Sequence, residues 1–375
     1  MRDKPAARGI HLGRLALKAA LLFIAANVLF AFADPADLGR LSAYNFILPG
    51  RERFPFGESP QTAYNFSLSN LEAMFASHSL SAASVRADQY RILVLGDSSV
   101  WGALLRPEQT LPARLNELTP RMCGKPVRVY NLGYPTLSLT KDLLILDRAM
   151  RSDPDLVVWV TTLEAFVQEN QLASPIVAAN AALTRNVITR YQLTLPGDGG
   201  KLKDPSFWER TVIGRRRALA DLARLQLYGV VWAATGIDQV YPADAPRAQT
   251  DFEADESFHG ALGPLLDDSQ LALDVLAAGV KASRGAPVLV VNEPILISRG
   301  TNSQLRYNYY YPRWAFDQYR TLMEQRGLTA GWEYIDLWDL VPADQFTNTA
   351  IHLTPEGVSM LAERVGQAVS SRPCP

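Results

Sequence analysis

Three side chains far apart in the chain have the types needed for acyl transfer. Ser98 stands in Gly96-Asp97-Ser98-Ser99, directly after an apolar run and just before an amphipathic segment. That pattern reads as a strand, a sharp turn and a helix. It lifts a hydroxyl above the carboxyl ends of a parallel sheet, beside a helix N-terminus whose free N–H groups favour developing negative charge. A serine hydroxyl is a poor nucleophile until a base takes its proton. His352 is the best base: it follows a loop and precedes Pro355-Glu356-Gly357, which fixes a helix start. Asn348, four residues earlier, is the expected side-chain partner of the second ring nitrogen, since an amide oxygen can hold that N–H. Asp344 has the better charge but lies farther back, and a backbone carbonyl would serve a Ser–His dyad. Gly-Asp-Ser alone would read as a turn and a helix N-cap, and His352 alone as a structural histidine.

Further blocks stand in order. Tyr130-Asn131-Leu132-Gly133 follows a second apolar run, and Ile351-His352-Leu353-Thr354-Pro355 opens the last helix. With Gly96-Asp97-Ser98 first, this order resembles the SGNH (GDSL) hydrolase family over roughly residues 91–369. The resemblance implies a three-layer α/β/α sandwich around a parallel, flavodoxin-like sheet. It implies carboxylic ester hydrolysis or acyl transfer through Ser98, with no cofactor and no metal. It also implies an oxyanion hole from the N–H groups of Ser98 and Gly133, where a missing side chain lets backbone approach substrate. Two positions depart from the family. Ungapped alignment of Pro154-Asp155-Leu156 puts Glu164 where an asparagine donor is usual and Thr162 where a glycine is usual. An ionised carboxylate cannot donate a hydrogen bond. Either Thr161 or Thr162 donates instead, or Glu164 turns away, or it binds a hydroxylated substrate. The usual aspartate three residues before the histidine is Thr349.

The elements that must position these groups alternate. Strands are expected at 92–95, 127–131, 156–161, 287–291 and 333–337, and helices at 107–118, 140–151, 270–283, 314–326 and 355–370. Such alternation gives a parallel sheet covered on both faces, with its site beyond the carboxyl ends of the strands. Ser98, Gly133, Thr162 and the pair Asn292-Glu293 each fall just after a strand, and the last three join Glu164 as substrate-binding candidates. A long insertion, about 165–269, interrupts the alternation. It carries Arg215-Arg216-Arg217 before an aromatic and apolar run, 225–236. A cap helix packed on its own domain is the first reading of that run, and a membrane-interface segment is the second. His259 reads as solvated and His78 as a packing or surface histidine. Tyr307 to Trp314 is either a sugar-stacking surface or a packed loop leading into a helix.

Three regions follow: 1–34, a basic flank and apolar anchor or signal; 35–90, a connector with turns at Pro49-Gly50, Pro55, Gly57 and Pro60 and a helix around 68–78; and 91–375, the catalytic domain. The apolar run 19–33 follows Arg2, Lys4, Arg8, Arg14 and Lys18. An uncleaved single span is expected, basic flank inside and the rest outside. Cleavage after Ala31-Phe32-Ala33, giving a secreted protein, is the alternative. A net charge of −1 gives no electrostatic case for nucleic acid. Cys123 and Cys374 either pair or stay as buried thiols. The expected activity is that of a serine-dependent esterase or O-acyltransferase on O-acyl groups, with acylated cell-surface glycans or small acyl esters as substrate. A non-catalytic binding or assembly protein of the cell envelope is the alternative.

Overall fold

A computed structural model describes residues 11–33, 38, 70–82, 88–195, 200–202, 204–235 and 245–374. The connector turns at Pro49 to Pro60, most of the surface turn at 196–200 and the basic residues before His11 lie outside the described residues.

The domain is built on one six-stranded sheet. Its strands are β1 (Tyr90–Gly96), β2 (Arg121–Met122), β3 (Lys125–Gly133), β4 (Leu156–Thr161), β5 (Val288–Asn292) and β6 (Glu333–Asp336). They lie in the order β2-β3-β1-β4-β5-β6. All pairings are parallel except the β2–β3 hairpin. Leaving out the hairpin arm, the parallel strands run 2-1-3-4-5, the flavodoxin-like order, whose crevice opens where the direction of winding reverses beside β1. Ser98 follows β1 directly. Each central strand is apolar on both sides because helices cover both faces. Leu93, Leu95, Val157, Trp159 and Val290 face α5 (Leu139–Ala149), α9 (Leu273–Ala282) and α10 (Arg313–Ala330). Their alternates Ile92, Val94, Val158, Val160 and Val291 face α4 (Leu111–Leu118) and α11 (Pro355–Ser370).

The strand and helix expectations hold, with shifts at the ends. The segment expected as one helix over 107–118 is a short 3-10 turn, Pro107–Gln109, followed by α4. The two-residue β2 carries no periodicity and was not anticipated. Cys123 and Cys374 form a disulfide with a Cα separation of 5.5 Å, tying the chain end to the β2–β3 turn. Ahead of the domain lies α1 (Leu12–Phe30), the one helix among the described residues long and apolar enough to cross a membrane.

Helix α2 (Leu71–Ser77) brings the connector onto the domain. His78, next in sequence, is buried. Its Nδ1 accepts from Leu80 N–H at 3.1 Å, so Nε2 carries the proton and donates to Asn131 O at 3.0 Å. Burial pushes this ring down to about 4 from 6.5, against the opposing carbonyl. The unfolded chain therefore takes up the proton first as pH falls. The stability that the neutral ring contributes is present above about pH 6.5, is lost on the way to pH 4, and amounts to about 3 kcal/mol. His78→Gln should flatten the acid limb of chemical-denaturation stability by about one proton relative to wild type. Parallel limbs would refute this assignment.

Candidate active site

The nucleophile turn is held from below. Asp97 caps α3 (Ser98–Trp101), its carboxylate accepting from Ser99 N–H at 2.7 Å. Ser98 is the first helical residue, so its own N–H has no intrahelical acceptor. Lys141, fully buried, donates from Nζ to Gly96 O at 2.7 Å and to Tyr134 O at 3.1 Å, and pairs with Asp142 at 2.6 Å. One ammonium thus joins the ends of β1 and β3. Trp159 Nε1–H donates to the other Asp142 oxygen at 3.1 Å. Burial raises Asp142 to about 6, with Lys141 opposing the shift.

Ser98 Oγ lies 2.7 Å from His352 Nε2, and His352 Nδ1 lies 2.8 Å from Asn348 Oδ1. An amide oxygen only accepts, so Nδ1 carries the ring proton and Nε2 is free to receive the serine proton. The loop grips His352 on both sides. Thr349 Oγ1 accepts from His352 N–H at 3.1 Å, and Thr347 N–H donates to His352 O at 2.8 Å. Thr354 then caps α11, accepting from Gly357 N–H at 3.2 Å, with Pro355 in the first turn. The imidazole is almost fully buried, and burial lowers its pKa below 6.5, with the Asp97 charge opposing. The neutral, proton-accepting form therefore persists into mildly acidic solution. Asp344 does not approach the ring through its carboxylate; it sits in the short 3-10 turn Ala343–Gln345.

A cavity of about 380 Å³ opens over this pair. Ser98, His352, Thr136, Ser138, Ser174, Thr349 and Tyr310 line it, together with Glu164 and Asn170. Its volume suits a small ligand.

Glu164 faces the cavity. His259 from the insertion holds its carboxylate, with Nε2 at 2.9 and 3.1 Å from the two oxygens, and Asn170 Nδ2 donates at 2.9 Å. The hydrogen bond to Glu164 raises the His259 pKa, and partial burial works against it. His259 is therefore not the free surface histidine expected. A bond spanning 95 residues leaves no local signal in the chain. Asn170 was also missed; it is the only side-chain amide on the described cavity wall.

Four expected site residues have other work. Gly133 N–H donates to Asn131 Oδ1 at 3.0 Å, so it is engaged within its own strand end and does not point at a reacting oxygen. The glycine is needed because a Cβ there would lie 2.2 Å from Trp101 N, where β3 meets α3. Asn131 completes that junction by donating to Val100 O at 3.0 Å. Thr162 is buried, its hydroxyl 3.0 Å from Tyr311 OH. Asn292, fully buried, donates to Asp336 Oδ1 at 2.8 Å. Glu293 accepts from Ser99 Oγ–H at 2.5 Å. Burial first, then the nearby Asp97 charge, raises the Glu293 pKa well above its ordinary value. Thr162, Asn292 and Glu293 stand at or just past strand ends, but all three are buried, and Tyr311 of the loop before α10 holds Thr162. Of the aromatic stretch, Tyr307 and Tyr311 are buried in that loop, and Tyr310 alone reaches the cavity.

No family model matches the sequence, and no curated protein does. Among solved structures, the chain is similar to Est24, a carbohydrate acetylesterase from Sinorhizobium meliloti, at 15% identity and a TM-score of 0.35, covering 75% of this chain and 98% of that one. The aryl esterase of M. smegmatis is similar at 13% identity and a TM-score of 0.35, over 75% and 98%. A lipolytic protein of the G-D-S-L family from Desulfitobacterium hafniense is similar at 10% identity and a TM-score of 0.31, over 74% and 98%.

Proposed function

We propose that this chain is a serine esterase or acyltransferase of the SGNH type that acts on O-acyl groups. One observation carries the reading: the hydrogen-bonded series Ser98–His352–Asn348, with its hydroxyl end opening on a cavity. In the first half-reaction His352 Nε2 takes the Ser98 proton as Oγ bonds to the acyl carbon. The collapsing intermediate expels the alcohol, which leaves with that proton. Water, or an acceptor hydroxyl, then attacks the acyl-serine by the reverse path; water gives hydrolysis, a sugar hydroxyl gives transfer. Asn348 fixes the tautomer but carries no charge to stabilise the imidazolium, so it is a weaker partner than a carboxylate.

One donor suits the oxyanion: Ser98 N–H at the start of α3; the Asn170 amide, six residues beyond the family's usual place, is engaged by Glu164 Oε1 and O and must turn to join it. A donor of this kind is typically worth ~3 kcal/mol in the transition state. Glu164, already bonded to His259 and Asn170, keeps acceptor capacity toward the cavity and suits a substrate rich in hydroxyls. Thr136, Ser174 and Thr349 share the wall with Pro135, Leu137, Ala173 and Ile351, a mixed lining that suits the hydroxyls and the acyl chain of an O-acylated sugar. The apolar α1 and the single disulfide suit an anchored domain in an oxidising extracytoplasmic space.

The test is the pH dependence of short acyl-ester cleavage. kcat/KM reports the free enzyme's base. Because burial lowers the His352 pKa, the acid limb should fall below pH 6.5, with activity flat from there through neutrality. A limb above 6.5 would refute the burial-lowered pKa, and activity that survives His352→Ala would overturn its role as base.

A further inference from the structure

The insertion carries an apolar surface that the active site does not use. Past α6 (Ala181–Tyr191), it comprises α7 (Phe207–Arg210) and α8 (Arg216–Thr235). Trp208 is 75% exposed, Ile213 50%, Leu227 72% and Val231 57%. Leu227 and Val231 are four residues apart and share one face of α8. Five arginines (Arg210, Arg215, Arg216, Arg217 and Arg224) accompany them between 206 and 228, against Glu209 and Asp221, a net of +3.

This surface meets α1 at a definite depth. Ile213 N–H donates to Asn27 Oδ1 at 3.1 Å, and the Phe32 and Phe207 rings pack edge to face at 6.2 Å. Helix α1 has 19 residues, hence ~28 Å of length against ~30 Å of bilayer hydrocarbon. Asn27 lies three residues before its C-terminal end, or ~4.5 Å along the axis. With the basic flank inside, that end is the outer one. Anything bonded to Asn27 is then at the outer boundary of the membrane. We infer that α7 and α8 lie on the outer leaflet, with Trp208, Ile213, Leu227 and Val231 entering the headgroup and upper acyl region and the arginines facing anionic headgroups. This rests on the reading of α1 as a span. Bilayer contact explains why large apolar side chains are exposed beside the span, where a cap helix would bury them. It also lays the insertion, whose His259 holds Glu164, along the membrane surface.

The full chain, with its disulfide intact, is reconstituted in vesicles of phosphatidylcholine and phosphatidylglycerol. Single cysteines replace Trp208, Val231, Leu22 or Glu363 and carry an environment-sensitive fluorophore. Reporters at 208 and 231 should shift to the blue and lose intensity to a spin label near the glycerol end of the lipid chains, with little loss to aqueous iodide. Glu363→Cys, on exposed α11, should show the reverse. Lipid quenching at Leu22→Cys together with iodide quenching at 208 and 231 would overturn the inference and leave the span standing. Iodide quenching at Leu22→Cys would overturn the span and the inference with it. Protection of 208 and 231 from both quenchers, growing with protein-to-lipid ratio, would mean that a second copy covers the surface, and would also overturn it.

Discussion

Ser98→Ala should abolish acyl-ester cleavage while the protein stays folded. In a triad that works as a unit, loss of the nucleophile costs roughly 10⁶ in turnover, and what remains comes from the oxyanion donors and binding. The loss of structure should be small, because Ser98 contributes to α3 through its backbone: Gly102 N–H and Ala103 N–H donate to Ser98 O at 3.0 and 2.9 Å. Ser99→Ala tests the neighbouring hydroxyl. Ser99 Oγ donates to buried Glu293, away from the cavity, so its removal leaves the chemistry in place and costs stability through an unpaired Glu293 oxygen. Steady-state kinetics on a short acyl ester, with near-ultraviolet circular dichroism as the folding check, separates the two. Full activity in Ser98→Ala would remove the nucleophile from this reading.

The second large effect is structural and lies directly beneath that serine. Lys141→Met removes the donor shared by Gly96 O and Tyr134 O and leaves Asp142 without its cation. Breaking a buried pair from one side typically costs about 3–5 kcal/mol. Two orphaned carbonyls place Lys141 toward the upper end of that range, while Asp142, already raised to about 6, limits the cost by taking a proton. The variant should therefore lose more stability at alkaline than at mildly acidic pH, because Asp142 must ionise unpaired there. Adding Asp142→Leu should recover part of the loss, since an apolar pair can replace a buried ion pair. Equilibrium denaturation of wild type, single and double variants measures this. A single variant within about 1 kcal/mol of wild type would show that Lys141 does not bind the strand ends together.

The sheet was legible because parallel strands covered on both faces must be nearly continuous apolar runs, and 156–161 and 355–370 are matched to the residue. Proline in the first turn with a threonine cap fixed α11 in the chain itself. The Ser98, His352 and Asn348 positions were also legible, since each sits at a strand or helix end that short-range pattern defines. What the pattern could not carry is pairing across the fold. Gly133 looked like an oxyanion donor because it follows a strand, yet Asn131, two residues back, takes its N–H. Asn292 and Glu293 also stand at a strand end, but both are buried and bonded to Asp336 and Ser99. The Glu164–His259 pair joins the domain to its insertion, and neither partner announces the other.

Covalent capture reads whether His352 activates Ser98 as a nucleophile. The protein is treated with a fluorophosphonate, digested, and the adduct located by peptide mass spectrometry. One phosphonylated residue, Ser98, is expected, with capture strongly slowed by His352→Ala and unaffected by Ser99→Ala. No adduct on folded protein, or an adduct that stays at full rate without His352, would contradict it and favour a non-catalytic binding role for the same cavity.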